Sequence, residues 1–169
     1  MDSSVRVLGI DASLRSTGYG VVELCGNRFS AVEFGTIRTA ADRPLSECLR
    51  RLFEGLSDVI TRLQPAAASL EGGFFFKNVS TAMVLGQTRG AAIAACALRD
   101  VPVYEYPPRK VKQAVVGFGG AEKEQVRQMI MRMLSLAEAP PLDASDALSL
   151  AVCHLNHRSG HAQLQHEPV

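Results

Sequence analysis

The chain opens with three short apolar segments whose composition and spacing predict β-strands. Val5–Ile10 is suited to a buried strand, Tyr19–Leu24 to a second strand and Phe29–Ile37 to a third. Gly26 and Asn27 are the residue types that turn one strand into the next in a hairpin, and they lie between the second and third segments. The first part of the chain is therefore predicted to form an antiparallel meander.

From Leu45 onward apolar residues recur at steps of three and four, which predicts an amphipathic helix that Pro65 closes. Ala67–Glu71 predicts a fourth strand, and Thr81–Leu98 predicts a helix that Ser80 could cap. The remaining predicted elements are a strand at Val101–Tyr106, helical segments at Arg109–Val115 and Glu122–Leu136, and a last helix at Asp143–Asn156. Three strands followed by alternating helix and strand predict an α/β fold, with a mixed five-stranded sheet and helices on both faces.

Length and composition fit one compact domain. The 169 residues are 47% hydrophobic, which is enough to bury a core without metal or disulfide support. We expect one domain over residues 1–157 and a polar, poorly ordered tail over residues 158–169. The spacing of the four cysteines matches neither zinc ligands nor a redox pair. Together with the lack of a targeting segment or an apolar stretch of membrane-spanning length, this predicts a cytoplasmic protein with no membrane association.

The net charge of +1 hides an uneven distribution of charge along the chain. Between Lys77 and Arg132 there are nine Lys or Arg residues against four Asp or Glu residues, whereas the rest of the chain is net acidic. The basic middle could attract a polyanion, and ordinary solvated surface is the alternative.

Four carboxylates stand where the hydrophobic pattern predicts the end or the start of a buried element. Asp11 and Glu71 each follow an apolar strand directly, at the carboxyl end where open α/β sheets usually hold ligands. Asp143 and Asp146, three residues apart, share one face at the start of the last predicted helix. If the four converge, their repulsion requires cations or raised pKa values, and oxygen ligands favour hard ions such as Mg²⁺.

Each of these carboxylates also has a structural explanation. Asp143 could be the N-cap of its helix and Asp146 a favourable first-turn acid, while Asp11 could open a turn. Glu71 is harder to explain in this way, because a charged group rarely ends so apolar a strand without a partner.

A series of short segments surrounds these carboxylates. In chain order they are Gly9-Ile10-Asp11, Thr17-Gly18-Tyr19-Gly20, Glu71 with Phe74 and Lys77-Asn78, Leu85-Gly86-Gln87-Thr88-Arg89-Gly90, Val111-Lys112-Gln113, Val115-Val116-Gly117, Ala121-Glu122-Lys123 and Asp143-Ala144-Ser145-Asp146-Ala147-Leu148. In this order they resemble the RuvC family of Holliday junction resolvases, and the resemblance covers most of the chain, from about Val5 to His154. One departure is visible, since many members have Pro-Gly after the first aspartate and this chain has Ala12-Ser13.

The resemblance implies a ribonuclease H-like fold in which the strands that carry Asp11 and Glu71 are neighbours. It implies that Asp11, Glu71, Asp143 and Asp146 are catalytic metal ligands for two Mg²⁺ ions about 4 Å apart, with Mn²⁺ as a possible substitute. It further implies an endodeoxyribonuclease that resolves four-way junction DNA by paired symmetric nicks in recombination and repair. The implied partners are a second copy of the chain and a RuvAB-type branch migration complex.

Residues of the basic middle are the candidates for DNA contacts. Lys112 and Lys123 match positions of the family pattern that face the nucleic acid, and Lys77, Arg89 and Arg109 are candidate phosphate contacts by charge and position. By the resemblance, Phe74 could stack on an unpaired base. The predicted helix at Thr81–Leu98 has Gly86 and Gly90 one turn apart, so its small residues serve either internal packing or the homodimer interface.

Three other interpretations of the sequence are less well supported. The series His154, His157, His161 and His166 has no cysteine or carboxylate partner, so we interpret it as structural rather than as a metal site. A sugar-kinase or actin-like ATPase shares the opening pattern of strand, aspartate and glycines, but it needs a second phosphate-binding half that 169 residues cannot hold. A non-catalytic DNA-binding relative would have lost carboxylates, and all four are present.

Overall fold

The computed structural model describes residues 4–72, 78–159 and 167–169. The strands are β1 (Val5–Asp11), β2 (Ser16–Cys25), β3 (Arg28–Arg38), β4 (Ala67–Glu71) and β5 (Val103–Tyr106). The helices are α1 (Leu45–Leu63), α2 (Val79–Ala97), α3 (Pro108–Val116), α4 (Lys123–Met133) and α5 (Leu142–Ser159). The predicted mixed five-stranded sheet with helices is thereby confirmed.

The sheet has the strand order β3-β2-β1-β4-β5. The hairpin of β2 and β3 and the pairing of β1 with β2 are antiparallel, as the predicted meander requires. Gly26 turns the hairpin with a positive φ of 58°, a conformation that glycine adopts without steric cost. From β1 the sheet continues in parallel through β4 to β5, so the carboxyl ends of these three strands lie at one edge.

The two faces of the sheet carry different helices because side chains alternate along each strand. On β1, Leu8 and Ile10 face the layer formed by α1 and α2, where they join a core cluster that includes Leu56 and Ala95. Val7 points the other way and joins the cluster that α4 and α5 complete. Helices thus cover both faces of the central strands, as predicted.

Several predicted boundaries shift for local reasons. The cap of α2 is Asn78 rather than Ser80, because the Asn78 side chain accepts hydrogen bonds from the Ser80 and Thr81 backbone N–H groups. β5 begins at Val103 rather than Val101, since Pro102 has no N–H to donate to a strand partner. The helix predicted to run to Leu136 ends at Met133, and Ser135 adopts a left-handed φ of 52°.

The last helix, α5, continues to Ser159, two residues into the segment for which a polar tail is predicted. At the far end, the Val169 N–H donates a hydrogen bond to the Val103 carbonyl of β5. Residues 160–166 of the predicted tail lie outside the described residues. In the part of the chain that the structure describes, no helix combines the length and the hydrophobicity that crossing a membrane requires.

Candidate active site

Asp11 and Glu71 end two parallel strands that lie side by side. β1 pairs with β4 up to Ile10 and Leu70, so the two carboxylates follow the last pair on each strand. Because side chains alternate along a strand, both carboxylates point to the same face of the sheet as Gly9, and Gly9 faces α5. The sheet therefore presents the two carboxylates on the face that α5 covers.

Two glycines let α5 approach this edge of the sheet. A Cβ on Gly9 would lie 1.7 Å from the Ala147 carbonyl oxygen, and a Cβ on Gly18 would lie 1.9 Å from the Asp143 carbonyl oxygen. Any side chain at either position would collide with the helix backbone. Gly9 and Gly18 thus bring the first turns of α5, with Asp143 and Asp146, onto the end of β1 and the start of β2.

The negative charges of the site act on one another. Burial, and then the charges of three neighbouring carboxylates, raise the pKa of Asp11 to about 7, against an ordinary value of 3.8. Those three neighbours are, in order of effect, Asp146, Glu71 and Asp143. Burial also raises the pKa of Glu71, and the charge of Asp146 adds to the rise. Asp11 therefore lies within electrostatic range of the other three carboxylates that the sequence singled out.

One pocket joins three of the four carboxylates to two lysines. Its lining includes Asp11, Glu71, Asp146, Lys112 and Lys123. The Lys123 Nζ lies 3.3 Å from Oδ2 of Asp146, and this contact raises the pKa of Lys123. The pocket thus combines carboxylates with cationic side chains.

Asp143 is held beside this pocket by a residue that sequence reasoning missed. The Ser16 hydroxyl at the start of β2 donates a hydrogen bond to Oδ2 of Asp143. The expectation that Asp143 could be the N-cap of its helix is wrong, because α5 already begins at Leu142 and the Asp143 side chain is engaged by Ser16. No signal in the sequence pairs two residues 127 positions apart.

The donor set fits a hard divalent cation. Among the residues that the structure describes, no three His, Cys, Asp or Glu side chains already surround a common point. Asp146 and Asp143 are instead engaged by Lys123 and Ser16. The pocket nonetheless supplies carboxylate oxygens that repel one another, and a cation bound between them would relieve that repulsion.

The predicted DNA contacts fall in different environments. Lys112 and Lys123 line the carboxylate pocket, and Arg109 is exposed in the first turn of α3, where its side chain covers Gly119. Arg89 is turned inward: its side chain is only 16% exposed, and it donates to the Glu71 carbonyl and to the Glu105 carboxylate. The predicted contacts Phe74 and Lys77 lie outside the described residues.

The histidines at the end of α5 have internal partners. Nδ1 of the buried His154 lies 2.9 Å from the Tyr106 hydroxyl, and the His154 ring lies against that of Tyr104. Nδ1 of His157 lies 2.7 Å from the Cys153 carbonyl oxygen one turn earlier. The structural interpretation of this series agrees with both placements, and its other two members lie outside the described residues.

A mixed sheet in the order β3-β2-β1-β4-β5, with carboxylates at the ends of two central strands and at the start of a terminal helix, defines the ribonuclease H-like class. The family model described as crossover junction endodeoxyribonuclease RuvC matches residues 7–154. The chain belongs to the RuvC family.

Individual relatives agree with this assignment. The chain is 47% identical over 149 residues to the crossover junction endodeoxyribonuclease RuvC of Desulforamulus reducens, an alignment that covers 88% of this chain and 91% of the relative. It is 49% identical over 152 residues to the protein of the same name from Geobacter sulfurreducens, covering 90% and 93%. The structure of Thermus thermophilus RuvC in complex with Holliday junction substrate matches with a TM-score of 0.89 at 32% identity, covering 98% of this chain and 99% of that one.

Proposed function

We propose that this protein is an Mg²⁺-dependent endodeoxyribonuclease that resolves four-way junctions by paired symmetric nicks in recombination and repair. The observation that carries the proposal is the single pocket that brings Asp11, Glu71 and Asp146 together with Lys112 and Lys123. Membership of the RuvC family and the likeness to a RuvC bound to Holliday junction substrate support the choice of DNA structure.

Asp11, Glu71, Asp143 and Asp146 are the residues that would hold two Mg²⁺ ions, with Mn²⁺ as a substitute. Nucleases of this family depend on divalent metal ions. When bound, such ions supply an activated water and stabilise the oxygen that leaves the phosphodiester. No protein nucleophile is needed for hydrolysis of this kind.

The chain's own residues prepare the site in two ways. Asp11 and Glu71 directly follow the last paired residues of two neighbouring strands, so strand pairing brings their carboxylates to the same edge of the sheet. Asp143 and Asp146 are carried by α5, which the glycine contacts hold against the sheet. Ser16 orients Asp143, and Lys123 balances part of the negative charge beside Asp146.

Phosphate binding is assigned to the cations around the pocket. Lys112 and Lys123 line it, and Arg109 is exposed on the adjoining start of α3, where a DNA strand entering the pocket would pass. Lys77 is proposed as a further phosphate contact and Phe74 as the side chain that stacks on an unpaired base. Arg89 is better explained by an internal role, since its guanidinium is already engaged by β4 and β5.

A second copy of the chain is the proposed partner of α2. Along this helix Val79 and Met83 are 75% and 62% exposed, and a Cβ on Gly86 or Gly90 would meet nothing within 4 Å in the described chain. A helix that is apolar on its outer face needs a partner to cover it. The two-fold symmetry of a junction that is cut twice matches a two-fold dimer with one site in each copy.

The family and the proposed substrate support a proposal for the cellular setting. We propose that the dimer acts in the cytoplasm, at the nucleoid, on junctions delivered by a RuvAB-type branch migration complex. Resolution by two nicks leaves products that need only sealing, which suits a step late in recombination.

The test is cleavage of a labelled synthetic four-way junction with and without Mg²⁺. Wild type should cut the junction only with the metal, and Asp11→Asn and Glu71→Gln should abolish cutting. Junction binding in EDTA should persist or tighten in these variants, because repulsion of the phosphates falls. Asp58→Asn removes an exposed carboxylate of α1 and should cut like wild type. A wild type that cuts linear duplex as fast as the junction would contradict the proposed substrate.

A further inference from the structure

Arg89 connects three elements behind the carboxylate pocket. It extends from α2, and its guanidinium donates to the backbone carbonyl of Glu71 on β4 and to the carboxylate of Glu105 on β5. Both partners in the ion pair are shielded, with 16% of the Arg89 side chain and 28% of the Glu105 side chain exposed. An ion pair so shielded from water holds its geometry better than one on the open surface.

The contacts of Arg89 with Glu71 and Glu105, here called the Arg89 bridge, lie where sheet pairing around Glu71 ends. β1 and β4 are paired only up to Ile10 and Leu70, so the Glu71 carbonyl lies just past that ladder. On the other side β4 and β5 are paired as far as Glu71 and Tyr106, and Pro107 and Pro108 then begin the α3 segment. The residue that carries a candidate metal ligand is therefore the last of its strand, and a strand end without further support frays.

Gly72 shows how closely the bridge fits the end of β4. A Cβ on Gly72 would lie 3.0 Å both from the Glu105 Cβ and from its Oε2. Glu105 thus lies across the residue that follows Glu71, and Arg89 closes this arrangement from α2. The Gly72 N–H also donates to the Tyr106 carbonyl, which fixes the same residue to β5.

We propose that Arg89 is a positioning residue that fixes the backbone of Glu71, and through it the Glu71 carboxylate, for divalent metal binding and strand cleavage. This inference rests on the proposed function. We propose this role for Arg89 instead of the predicted contact with a DNA phosphate. The hydrogen bonds of its guanidinium to β4 and β5 would have to break before it could reach DNA. Arg89 acts through Glu71 and is not itself expected to touch the metal or the substrate.

Arg89→Gln and Arg89→Lys test the positioning role, with Arg99→Gln as the matched control. Arg99 follows the same helix and donates to Ala95 and Thr61, away from the pocket. Three quantities are measured for each variant: Mn²⁺ affinity by electron paramagnetic resonance without DNA, the salt dependence of junction binding in EDTA, and the single-turnover cleavage rate in Mg²⁺ with protein in excess.

For Arg89→Gln we expect a weaker Mn²⁺ affinity and a cleavage rate at least about tenfold lower, because a shift of the Glu71 carboxylate by a fraction of an ångström disturbs the site. Junction affinity should stay within about twofold, with an unchanged salt slope, since no phosphate contact is lost. Arg89→Lys keeps the charge but cannot donate to both partners as the planar guanidinium does, so its Mn²⁺ affinity and cleavage rate should also fall. Arg99→Gln should match wild type in all three measurements.

A salt slope reduced by about one in Arg89→Gln, with weaker junction binding, would show a phosphate contact and overturn the inference. Wild-type Mn²⁺ affinity and cleavage in either Arg89 variant would overturn it as well. If Arg89→Gln does not fold, as judged by circular dichroism, Arg89→Lys decides by the same measurements. A wild type that fails to cut junctions would refute the proposed function, and the Mn²⁺ affinities would still test whether Arg89 positions Glu71.

Discussion

Replacing Gly18 by alanine should inactivate the site while leaving most of the fold intact. The new Cβ would lie 1.9 Å from the Asp143 carbonyl oxygen, whereas Cβ atoms in proteins keep at least 3.0 Å from such neighbours. The strand and the helix backbone must therefore separate by about 1.1 Å, the difference between these two distances. Neither partner is the flexible end of a side chain, so the shift cannot be absorbed by a rotamer change.

The expected magnitudes follow from this displacement. A misplacement of about 1 Å at a catalytic constellation can lower the rate about 100-fold, and overpacking of this kind costs about 1–3 kcal/mol of stability. Single-turnover cleavage of a four-way junction in Mg²⁺ gives the rate, and urea denaturation in EDTA gives the free energy of unfolding. Junction affinity in EDTA should change little, because Gly18 is not among the proposed phosphate contacts.

Gly20→Ala is the matched control on the same strand. A Cβ at Gly20 would meet Cδ2 and Cγ of Leu148 at 2.7 and 2.8 Å, but the nearest backbone atom of the helix, the Leu148 N, would be 3.2 Å away, so the helix backbone itself is displaced far less than by a Cβ at Gly18. We expect a loss of rate below about tenfold for this variant, since Leu148 lies further along α5 from the carboxylates. A Gly18→Ala protein whose cleavage rate is within about threefold of that of wild type would refute the claim that cleavage requires the close approach of α5 to β2.

Three further predictions concern charge and assembly. Asp11→Asn should stabilise the metal-free protein at pH 8 by about 1–4 kcal/mol and much less at pH 4. The reason is that the folded wild type retains the Asp11 proton between pH 3.8 and about 7, so its stability falls as the pH rises through that window. Equal effects of the substitution at both pH values, measured in EDTA, would contradict this. Met83→Glu should give a monomer by light scattering, whereas Val32→Glu, an exposed change on β3, should leave a dimer; a dimeric Met83→Glu protein would exclude this face of α2. Lys112→Met should weaken junction binding and lower its salt slope by about one, and an unchanged slope would remove Lys112 from the phosphate contacts.

The strands and helices could be predicted because their patterns are local. Apolar residues that recur every two positions, or every three to four, locate the strands and helices within a few positions. The apolar strands that end in Asp11 and Glu71 point to the carboxyl edge of the sheet. The resemblance to the family supplied the adjacency of those strands, which the parallel pairing of β1 with β4 confirms. Local caps were less predictable, since Asn78 and Ser80 are both good N-cap residues.

The parts of the site that escaped prediction depend on residues far apart in the chain. Ser16 engages Asp143 across 127 positions, and Arg89 engages Glu105 across 16, so neither pair leaves a periodic signal. Charge and position along the chain suggested that Arg89 contacts phosphate, because the sequence does not show whether a guanidinium is turned inward. The glycines of β1 and β2 were visible in the sequence, but only the packing of α5 shows why a side chain cannot replace them.

The most direct test of the central claim is the product that wild-type protein makes from a supercoiled plasmid with an extruded cruciform, in Mg²⁺ and at limiting protein. Two coordinated nicks across the cruciform junction within one binding event convert the circle to a linear molecule with symmetric ends. We predict the linear product as the main one, dependent on the metal and absent with Asp146→Asn. Singly nicked circles as the main product, or linear product formed without a divalent metal, would contradict the account.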